Sequence, residues 1–217
     1  MVQGEIVDTG RSDRIRVNEM FWSAQGEGVR TGVASAFLRL SGCSLRCIYC
    51  DSKESWDEGD ELGEDEIISR LESIGESRPF RQIVITGGEP LEQDVEGLVD
   101  KLRKRGHYIC VETNGVHDSN AGFDWWTVSP KDVHNYRINE NLWDRISEIK
   151  LIVNKNLNAE IVWDISRRRK DIPVFLQPSF PDPERFISTF GLFEECIGEK
   201  MDNVRLGMQL HRIYNIR

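Results

Sequence analysis

The order of apolar and polar residues divides the chain into alternating strands and helices. About six short runs rich in β-branched and aromatic residues predict strands, namely ASAFLRLSG (34–42), QIVITGGEP (82–90), HYICVETNG (107–115), WWTVSPK (125–131), SEIKLIVN (147–154) and PVFLQPS (173–179). Apolar residues at helical spacing predict helices between them, in GEDEIISRLESIG (63–75), LEQDVEGLVDKLRKRG (91–106) and LNAEIVWDISRRRKD (157–171). This alternation favours a parallel α/β sheet with right-handed crossovers.

Polar and glycine-rich segments follow the carboxyl ends of most of the predicted strands. These segments are CSLRCIYCDS (43–52), TGGEP, ETNG, SPK and QPS. Active sites of α/β barrels lie at the carboxyl ends of the strands, so we expect the five segments to converge on one rim. The acidic segment DSKESWDEGDELGED (51–65) is expected to form an exposed loop before the first helix.

Length, composition and charge limit the classes of protein that the chain can represent. A chain of 217 residues is long enough for one domain over residues 1–217, with residues 1–17 as a flexible or strand-adding extension. No apolar run approaches the ~20 residues of a membrane span, and the start of the chain lacks a hydrophobic signal core, which predicts a soluble, cytoplasmic protein with no membrane partner. The net charge of -9 disfavours direct binding to nucleic acid.

The chemistry is concentrated in three of the five cysteines. Cys110 and Cys196 stand alone in hydrophobic segments and are expected to be buried structural residues. Cys43, Cys47 and Cys50 form a C-x3-C-x2-C pattern on one short loop, with no fourth cysteine or histidine nearby. Structural zinc commonly takes four ligands, and iron–sulfur clusters also bind thiolates, so three thiols favour an iron–sulfur cluster with one open position while zinc remains an alternative.

The cysteine loop and one later turn resemble the radical S-adenosylmethionine (SAM) superfamily. CSLRCIYC has that superfamily's cysteine spacing with an aromatic residue before the last cysteine, and TGGEP resembles its methionine-binding segment. The resemblance implies an incomplete, TIM-like α/β barrel of about six mostly parallel strands. It also implies a [4Fe–4S] cluster on Cys43, Cys47 and Cys50, whose fourth iron binds SAM.

Longer stretches resemble the 7-carboxy-7-deazaguanine synthases within that superfamily. These are EMFWSAQGEGVRTGVASAFLRLSGC (19–43), WTVSPK and GMQLHRIYNIR (207–217), and the resemblance runs from about Asn18 to Arg217. It implies a lyase that converts 6-carboxy-5,6,7,8-tetrahydropterin to 7-carboxy-7-deazaguanine with loss of ammonia, for queuosine or archaeosine-type nucleosides. The resemblance further implies Mg²⁺, a homodimer and an electron donor such as a flavodoxin or a ferredoxin. The alternatives are a glycyl-radical activating enzyme and a zinc-binding interaction module.

The resemblance also implies roles for individual residues. The residues expected to contact SAM are Tyr49, Asp51, Gly88, Glu89, Glu112, Asn114, Ser129, Lys131 and Gln177. Glu89 could accept a hydrogen bond from the ammonium group of the cofactor, and Ser52 matches the position of a magnesium ligand. The residues expected to contact the pterin are Ala24, Gln25, Gly26, Arg39, Thr86, Gln209, His211 and Arg217.

Two of these residues also carry arguments of their own. Arg39 lies between Leu38 and Leu40 in a predicted strand, where an arginine is costly to bury unless it is paired, so it binds either substrate or a structural partner. The α-carboxylate of Arg217 could accept hydrogen bonds from the pterin ring, and a solvated tail is the alternative.

Overall fold

The computed structural model describes residues 14–178 and 183–216, and these residues form nine strands and five α-helices. The strands are β1 (Arg14–Ala24), β2 (Ala34–Leu40), β3 (Asp60–Gly63), β4 (Gln82–Gly87), β5 (Ile109–Thr113), β6 (Trp125–Val128), β7 (Glu148–Val153), β8 (Val174–Pro178) and β9 (Val204–Leu206). The helices are α1 (Glu64–Ser77), α2 (Glu96–Lys104), α3 (Ala159–Ser166), α4 (Pro183–Gly198) and α5 (Leu210–Ile213).

The nine strands form one sheet in the order β3-β1-β2-β4-β5-β6-β7-β8-β9. All neighbours from β2 to β9 are parallel, whereas β1 pairs antiparallel with both β2 and β3. Because β3 and β9 lie at opposite edges of this order and do not pair, the sheet is an incomplete barrel, as the sequence predicts.

The sequence prediction of about six strands was too low. It contained β2 and β4–β8 but not β1, β3 or β9. The segment 51–65 was expected to be an exposed loop, yet Asp60–Gly63 pairs with Arg14–Val17. A strand of three or four residues owes its stability to a neighbouring strand, so its own residue pattern is too short to reveal it. Residues 14–17, which belong to the expected N-terminal extension, form the first part of β1, and residues 1–13 lie outside the described part.

The two faces of the sheet carry different sets of side chains. Apolar residues of the strands pack against the helices and form the main core, with Leu38, Ile83 and Ile109 fully buried. The inner face carries a smaller apolar cluster of Phe21, Phe37, Val84 and Cys110. Cys110 and Cys196 are both buried free thiols, which confirms the prediction for them. Phe21 and Phe37 of this small cluster also line the cavity described below.

Within residues 14–178 and 183–216, no helix is both long and apolar enough to cross a lipid bilayer.

Candidate functional site

Strand alternation places one layer of polar side chains on the inner face of the sheet. Arg39 on β2 is paired in register with Thr86 on β4, and Glu112 on β5 is paired with Thr127 on β6. Side chains two residues apart point to the same face, so Arg39 and Thr86 follow Phe37 and Val84 towards the carboxyl ends. Arg39, Thr86, Glu112 and Lys150 all line a cavity of about 270 Å³.

The cysteine loop and the TGGEP turn contact each other through their backbones. The amide of Gly88 donates to the carbonyl of Leu40 (3.0 Å), and the amide of Glu89 donates to the carbonyl of Gly42 (2.7 Å). A Cβ atom on Gly88 would lie 2.0 Å from the Gly42 oxygen. Glycine is therefore required here by the close approach of two loops.

All three loop cysteines line the cavity as free thiols. Burial raises the pKa of both Cys43 and Cys47. Within the described ranges, no three His, Cys, Asp or Glu side chains are drawn together closely enough to hold a metal ion. The three thiols thus share one wall without converging on one point. As a donor set they fit a cluster that takes three thiolates from the chain and a further ligand from outside it.

Two unpaired amide groups give a second indication that the cavity region receives a ligand. The Nδ2 atom of Asn114, which lines the cavity, is buried with no hydrogen-bond partner in the described part of the chain. The Nε2 and Oε1 atoms of Gln177 are likewise buried and unpaired. Buried polar groups are normally paired in folded proteins, so these atoms are candidates to bind a molecule that enters the interior.

Arg39 is bound to the protein and also faces the cavity. Its Nε atom donates to Glu19 Oε1 (2.9 Å), and its Nη1 atom donates to the Ser52 hydroxyl (2.9 Å). The same hydroxyl donates to Asp51 Oδ1 (3.1 Å). The guanidinium therefore has a structural partner and also lines the cavity, and its binding to substrate stays a prediction.

A buried ion-pair network that lines the same cavity was not predicted from the sequence. Lys150 Nζ lies 2.6 Å from Glu27 Oε2 and 3.5 Å from Glu112 Oε1. Burial would raise the pKa of Glu27, but attraction to Lys150 and hydrogen bonds from Lys150 and Gln209 lower it to about 2. Burial would lower the pKa of Lys150, but the carboxylates of Glu112 and Glu27 raise it. Glu27 and Lys150 are therefore both charged at neutral pH.

The pattern that drew attention to Arg39 was also present at Lys150. Lys150 stands between Ile149 and Leu151 in a predicted strand, as Arg39 stands between two leucines. Glu27 directly follows the segment Ala24–Gln25–Gly26 that the sequence resemblance assigned to substrate. The sequence therefore offered two indications of this network. One was a cation inside an apolar strand, and the other was an acid beside a candidate binding turn.

Another buried carboxylate shapes the turn that carries Gln25 and Glu27. Glu148 on β7 accepts hydrogen bonds from the Val29 amide (2.7 Å) and from the Thr127 hydroxyl (2.8 Å). Gly28 has a φ of 69°, and a Cβ atom there would lie 2.2 Å from Glu148 Oε1. The glycine allows the turn to close on Glu148, which fixes the turn against the sheet.

The segment before and within α5 closes the same wall. The Leu210 amide donates to the Gly26 carbonyl (2.8 Å), Gln209 Nε2 donates to Glu27 Oε1 (2.8 Å), and Gln25 Nε2 donates to Glu112 Oε1 (3.0 Å). His211 lines the cavity, and its burial lowers its pKa, which favours the neutral imidazole.

Most of the residues selected from the sequence line this one cavity. They are Ala24, Gln25, Gly26, Arg39, Cys43, Cys47, Tyr49, Cys50, Asp51, Ser52, Thr86, Gly88, Glu112, Asn114, Ser129, Lys131, Gln209 and His211. Arg217 lies outside the described residues. Gln177 points into the interior beside Gly207 but is not part of the cavity wall.

Glu89 differs from these residues because its side chain is bound within the protein. Its carboxylate is buried and accepts hydrogen bonds from the Thr113 hydroxyl (2.6 Å), the Asn114 amide (2.6 Å) and the Leu91 amide (3.0 Å). It does not line the cavity. The side chain caps the turn after β4 and fixes the turn after β5, and its contact with an ammonium group stays a prediction.

Comparisons with known proteins agree with this arrangement. The family model described as the radical SAM superfamily matches residues 38–175. A 7-carboxy-7-deazaguanine synthase of Bacteroides thetaiotaomicron is 32% identical over 205 residues, which cover 93% of this chain and 98% of that protein. The synthase of Escherichia coli K12 is 33% identical over 221 residues, covering 92% and 98%.

A solved structure gives the same result at the level of the fold. The crystal structure of QueE from Escherichia coli superimposes with a TM-score of 0.73 and 28% identity, covering 91% of this chain and 95% of that chain. The similarity thus extends over almost the full length, including the segments before the cysteine loop and after β8. Such coverage favours these synthases over the glycyl-radical activating enzymes and the zinc-binding modules.

Proposed function

Because this chain belongs to the radical SAM superfamily and, within it, to the 7-carboxy-7-deazaguanine synthases, we propose that it converts 6-carboxy-5,6,7,8-tetrahydropterin to 7-carboxy-7-deazaguanine with loss of ammonia. One observation carries the proposal for this chain. A single cavity joins the three thiols of the cysteine loop to a charged wall built from Arg39, Lys150 and Glu27. The first wall suits a cluster with its cofactor, and the second suits a polar, anionic heterocycle.

The cysteine loop and the neighbouring strand ends hold the cofactors in this proposal. Cys43, Cys47 and Cys50 bind a [4Fe–4S] cluster, and Gly88, which lines the same cavity, contacts SAM beside it. When bound, the cluster and SAM supply the one-electron chemistry that removes a hydrogen atom from the substrate. The protein supplies position and charge. Residues at the ends of β5 and β6 surround the SAM site, namely Glu112, Asn114, Ser129 and Lys131.

The opposite wall binds the pterin. The 6-carboxylate requires a cation, and Arg39 presents a planar fork of donors that suits a carboxylate. The pterin ring has amino and ring N–H donors, which require acceptors such as the ionised Glu27 and the side-chain oxygens of Gln25 and Gln209. Thr86 lies beside Glu112, with its hydroxyl 3.4 Å from the carboxylate, and offers one further polar contact.

A magnesium ion beside the cysteine loop is a further part of the proposal. Ser52 and Asp51 are adjacent, line the cavity and supply hard oxygen atoms, which Mg²⁺ prefers. Because the Ser52 hydroxyl accepts from Arg39, the ion would also bring the substrate carboxylate close to the guanidinium. We expect Ser52→Ala to weaken the magnesium dependence of turnover and to leave the cluster absorbance intact. An unchanged magnesium response would place the ion elsewhere.

The remaining parts of the proposal concern the surroundings of the enzyme. We propose that the protein acts in the cytoplasm as a homodimer and receives electrons from a flavodoxin or a ferredoxin. Arg217 remains a candidate contact for the pterin, because His211 in the preceding helix α5 lines the cavity.

The test is a turnover assay with reconstituted enzyme under anaerobic conditions. The protein is loaded with iron and sulfide, reduced, and incubated with SAM, Mg²⁺ and the carboxypterin. We expect 7-carboxy-7-deazaguanine and ammonia in equal amounts, while SAM is not consumed in proportion. Cys47→Ala is the control and should lose the cluster absorbance and the product together. A wild-type protein that binds the cluster, cleaves SAM and yields no deazaguanine would contradict the proposal.

A further inference from the structure

The aromatic residue of the cysteine loop is hydrogen-bonded to a carboxylate from another part of the rim. Tyr49, between Cys47 and Cys50, donates from its hydroxyl to Asp132 Oδ1 at 2.5 Å. Asp132 follows Lys131 in the loop after β6 and does not line the cavity. The bond therefore joins the cysteine loop to a segment 83 residues later in the chain, behind the cavity wall.

Asp132 collects donors from a third loop as well. Its Oδ2 atom accepts from Asn154 Nδ2 (3.0 Å) and from Asn156 Nδ2 (2.8 Å), which both belong to the loop after β7. Asn154 in turn accepts from the hydroxyl of the buried Tyr136 (3.1 Å). One carboxylate thus connects the loops after β2, β6 and β7. Tyr136 is packed in the core and therefore anchors this network to the body of the protein.

The first half of the cysteine loop has an attachment of its own. Ser44, next to Cys43, donates from its amide (2.9 Å) and its hydroxyl (2.6 Å) to Glu92 Oε1. Glu92 belongs to the short helical turn after TGGEP. The two halves of the loop are therefore held by different carboxylates, and the half with Cys47 and Cys50 is held through Tyr49.

We propose that Asp132 is a positioning residue, which fixes the Cys47–Cys50 half of the loop through Tyr49 and so holds these two thiols at the cavity wall before any cluster is bound. The consequence for the cluster rests on the proposed function, whereas the order of the loop does not. Without the bond, Tyr49 is free to leave the rim, and the loop can open at Cys47 and Cys50 while Ser44 stays attached to Glu92.

A hydrogen bond to a carboxylate is stronger than one between neutral groups, so its loss should raise the open fraction of the loop about tenfold. Amide hydrogen exchange reports such local opening directly. The Cys50 amide is a suitable reporter, because it donates to the Cys47 carbonyl (3.0 Å) and is protected only while this turn is formed.

The experiment measures hydrogen exchange of the segment 43–52 in the full-length protein without iron. Tyr49→Phe removes only the hydroxyl and should speed exchange at Cys50 about tenfold. Asp132→Ala should do the same, and the double variant should exchange no faster than either single variant. Asp118→Ala is the matched control, because Asp118 binds Asn141 and Arg145 in a loop without these contacts, and it should leave the segment unchanged.

A second measurement follows iron release to a chelator from the reconstituted protein. Tyr49→Phe should release iron faster than wild type, and Asp118→Ala should not. Wild-type exchange at Cys50 in Tyr49→Phe would overturn the proposal, and so would additive effects in the double variant. If Asp132→Ala does not fold, Tyr49→Phe decides alone. A wild-type protein that fails to bind a cluster would refute the proposed function and leave the exchange result standing.

Discussion

At the scale of single residues, the site depends on charges that the chain buries and then pairs. Lys150 is almost completely buried and is shared by two carboxylates, those of Glu27 and Glu112. Burying these charges costs desolvation free energy, and this cost is offset only when each charge is paired. Such a network keeps Glu27 ionised and correctly placed, which is what an acceptor for a pterin ring needs.

Lys150→Met should be strongly destabilising. The methionine fits the space but leaves the buried Glu27 without its cation, and a broken buried pair costs about 3–5 kcal/mol of unfolding free energy. Urea unfolding at neutral pH measures the loss. The double variant Glu27→Gln, Lys150→Met should recover part of it, because no unpaired charge remains. Arg70→Met, at an exposed ion pair with Glu66, is the control and should change little. A wild-type unfolding midpoint in Lys150→Met would refute the network's role.

The pKa of Glu27 also predicts a pH dependence of stability. Because this pKa is lowered to about 2 from 4.5 in the folded protein, the stabilisation is complete above about pH 4.5 and declines as the pH falls towards about 2. Wild type should therefore lose about 2 kcal/mol more than Glu27→Gln between about pH 6 and about pH 3. Urea unfolding of both proteins across this range measures the difference. If the unfolding free energies of the two proteins changed in parallel with pH, the lowered pKa of Glu27 would be contradicted. Lys150 adds no change in this range, since its raised pKa matters only at high pH.

At the scale of elements, the site is formed by turns that pack backbone against backbone. The TGGEP turn after β4 touches the start of the cysteine loop, and Gly87, with a φ of 132°, packs against Leu40 at the end of β2. Neither contact leaves space for a side chain. The relative position of the two motifs is thus set by the sheet register between β2 and β4.

Gly88→Ala should disturb this contact. The added methyl group would lie 2.0 Å from the Gly42 oxygen, so one of the two turns must move, and such overpacking typically costs about 1–3 kcal/mol. Thermal unfolding should show the loss, and SAM binding to the reconstituted protein should weaken. Gly63→Ala is the matched control, because Gly63 has a φ of -73° and nothing within 4 Å of its added Cβ. If both variants behave alike, the close approach of the turns has no energetic effect.

The sequence predicted well those strands and helices whose own residues form a clear apolar pattern. Strands β4, β5 and β7 are rich in apolar residues, although Glu148 and Lys150 interrupt β7, and α1 has a clear apolar face, so all were expected. Strand β1 alternates less regularly and pairs with both β2 and β3, whereas β3 is acidic and short and depends on its pairing with β1 rather than on local sequence. Glu89 shows the same limit within the site, because the sequence identified its turn but not the hydrogen bonds that its side chain accepts there.

At the scale of the whole molecule, charge bears on the substrate. The chain has 28 basic and 37 acidic residues, and a polyanion such as tRNA would meet net repulsion. We therefore expect the enzyme to act on a free pterin before any nucleoside is formed. Fluorescence anisotropy with labelled tRNA at roughly 0.15 M salt should show no binding. Binding that weakens steeply with salt would indicate a basic contact surface and contradict this expectation.

The pairing of β3 with β1 has a consequence for the conformational entropy of the chain. Between β2 and β4 the chain leaves the sheet for a long connection, and β3 returns it to the edge of the sheet midway. The entropic cost of closing a loop grows with its length. The return divides one long closure into shorter ones, and the first of these contains all three cysteines of the loop. Folding therefore already removes part of the conformational entropy of that segment, and a cluster assembling on it has fewer conformations left to order.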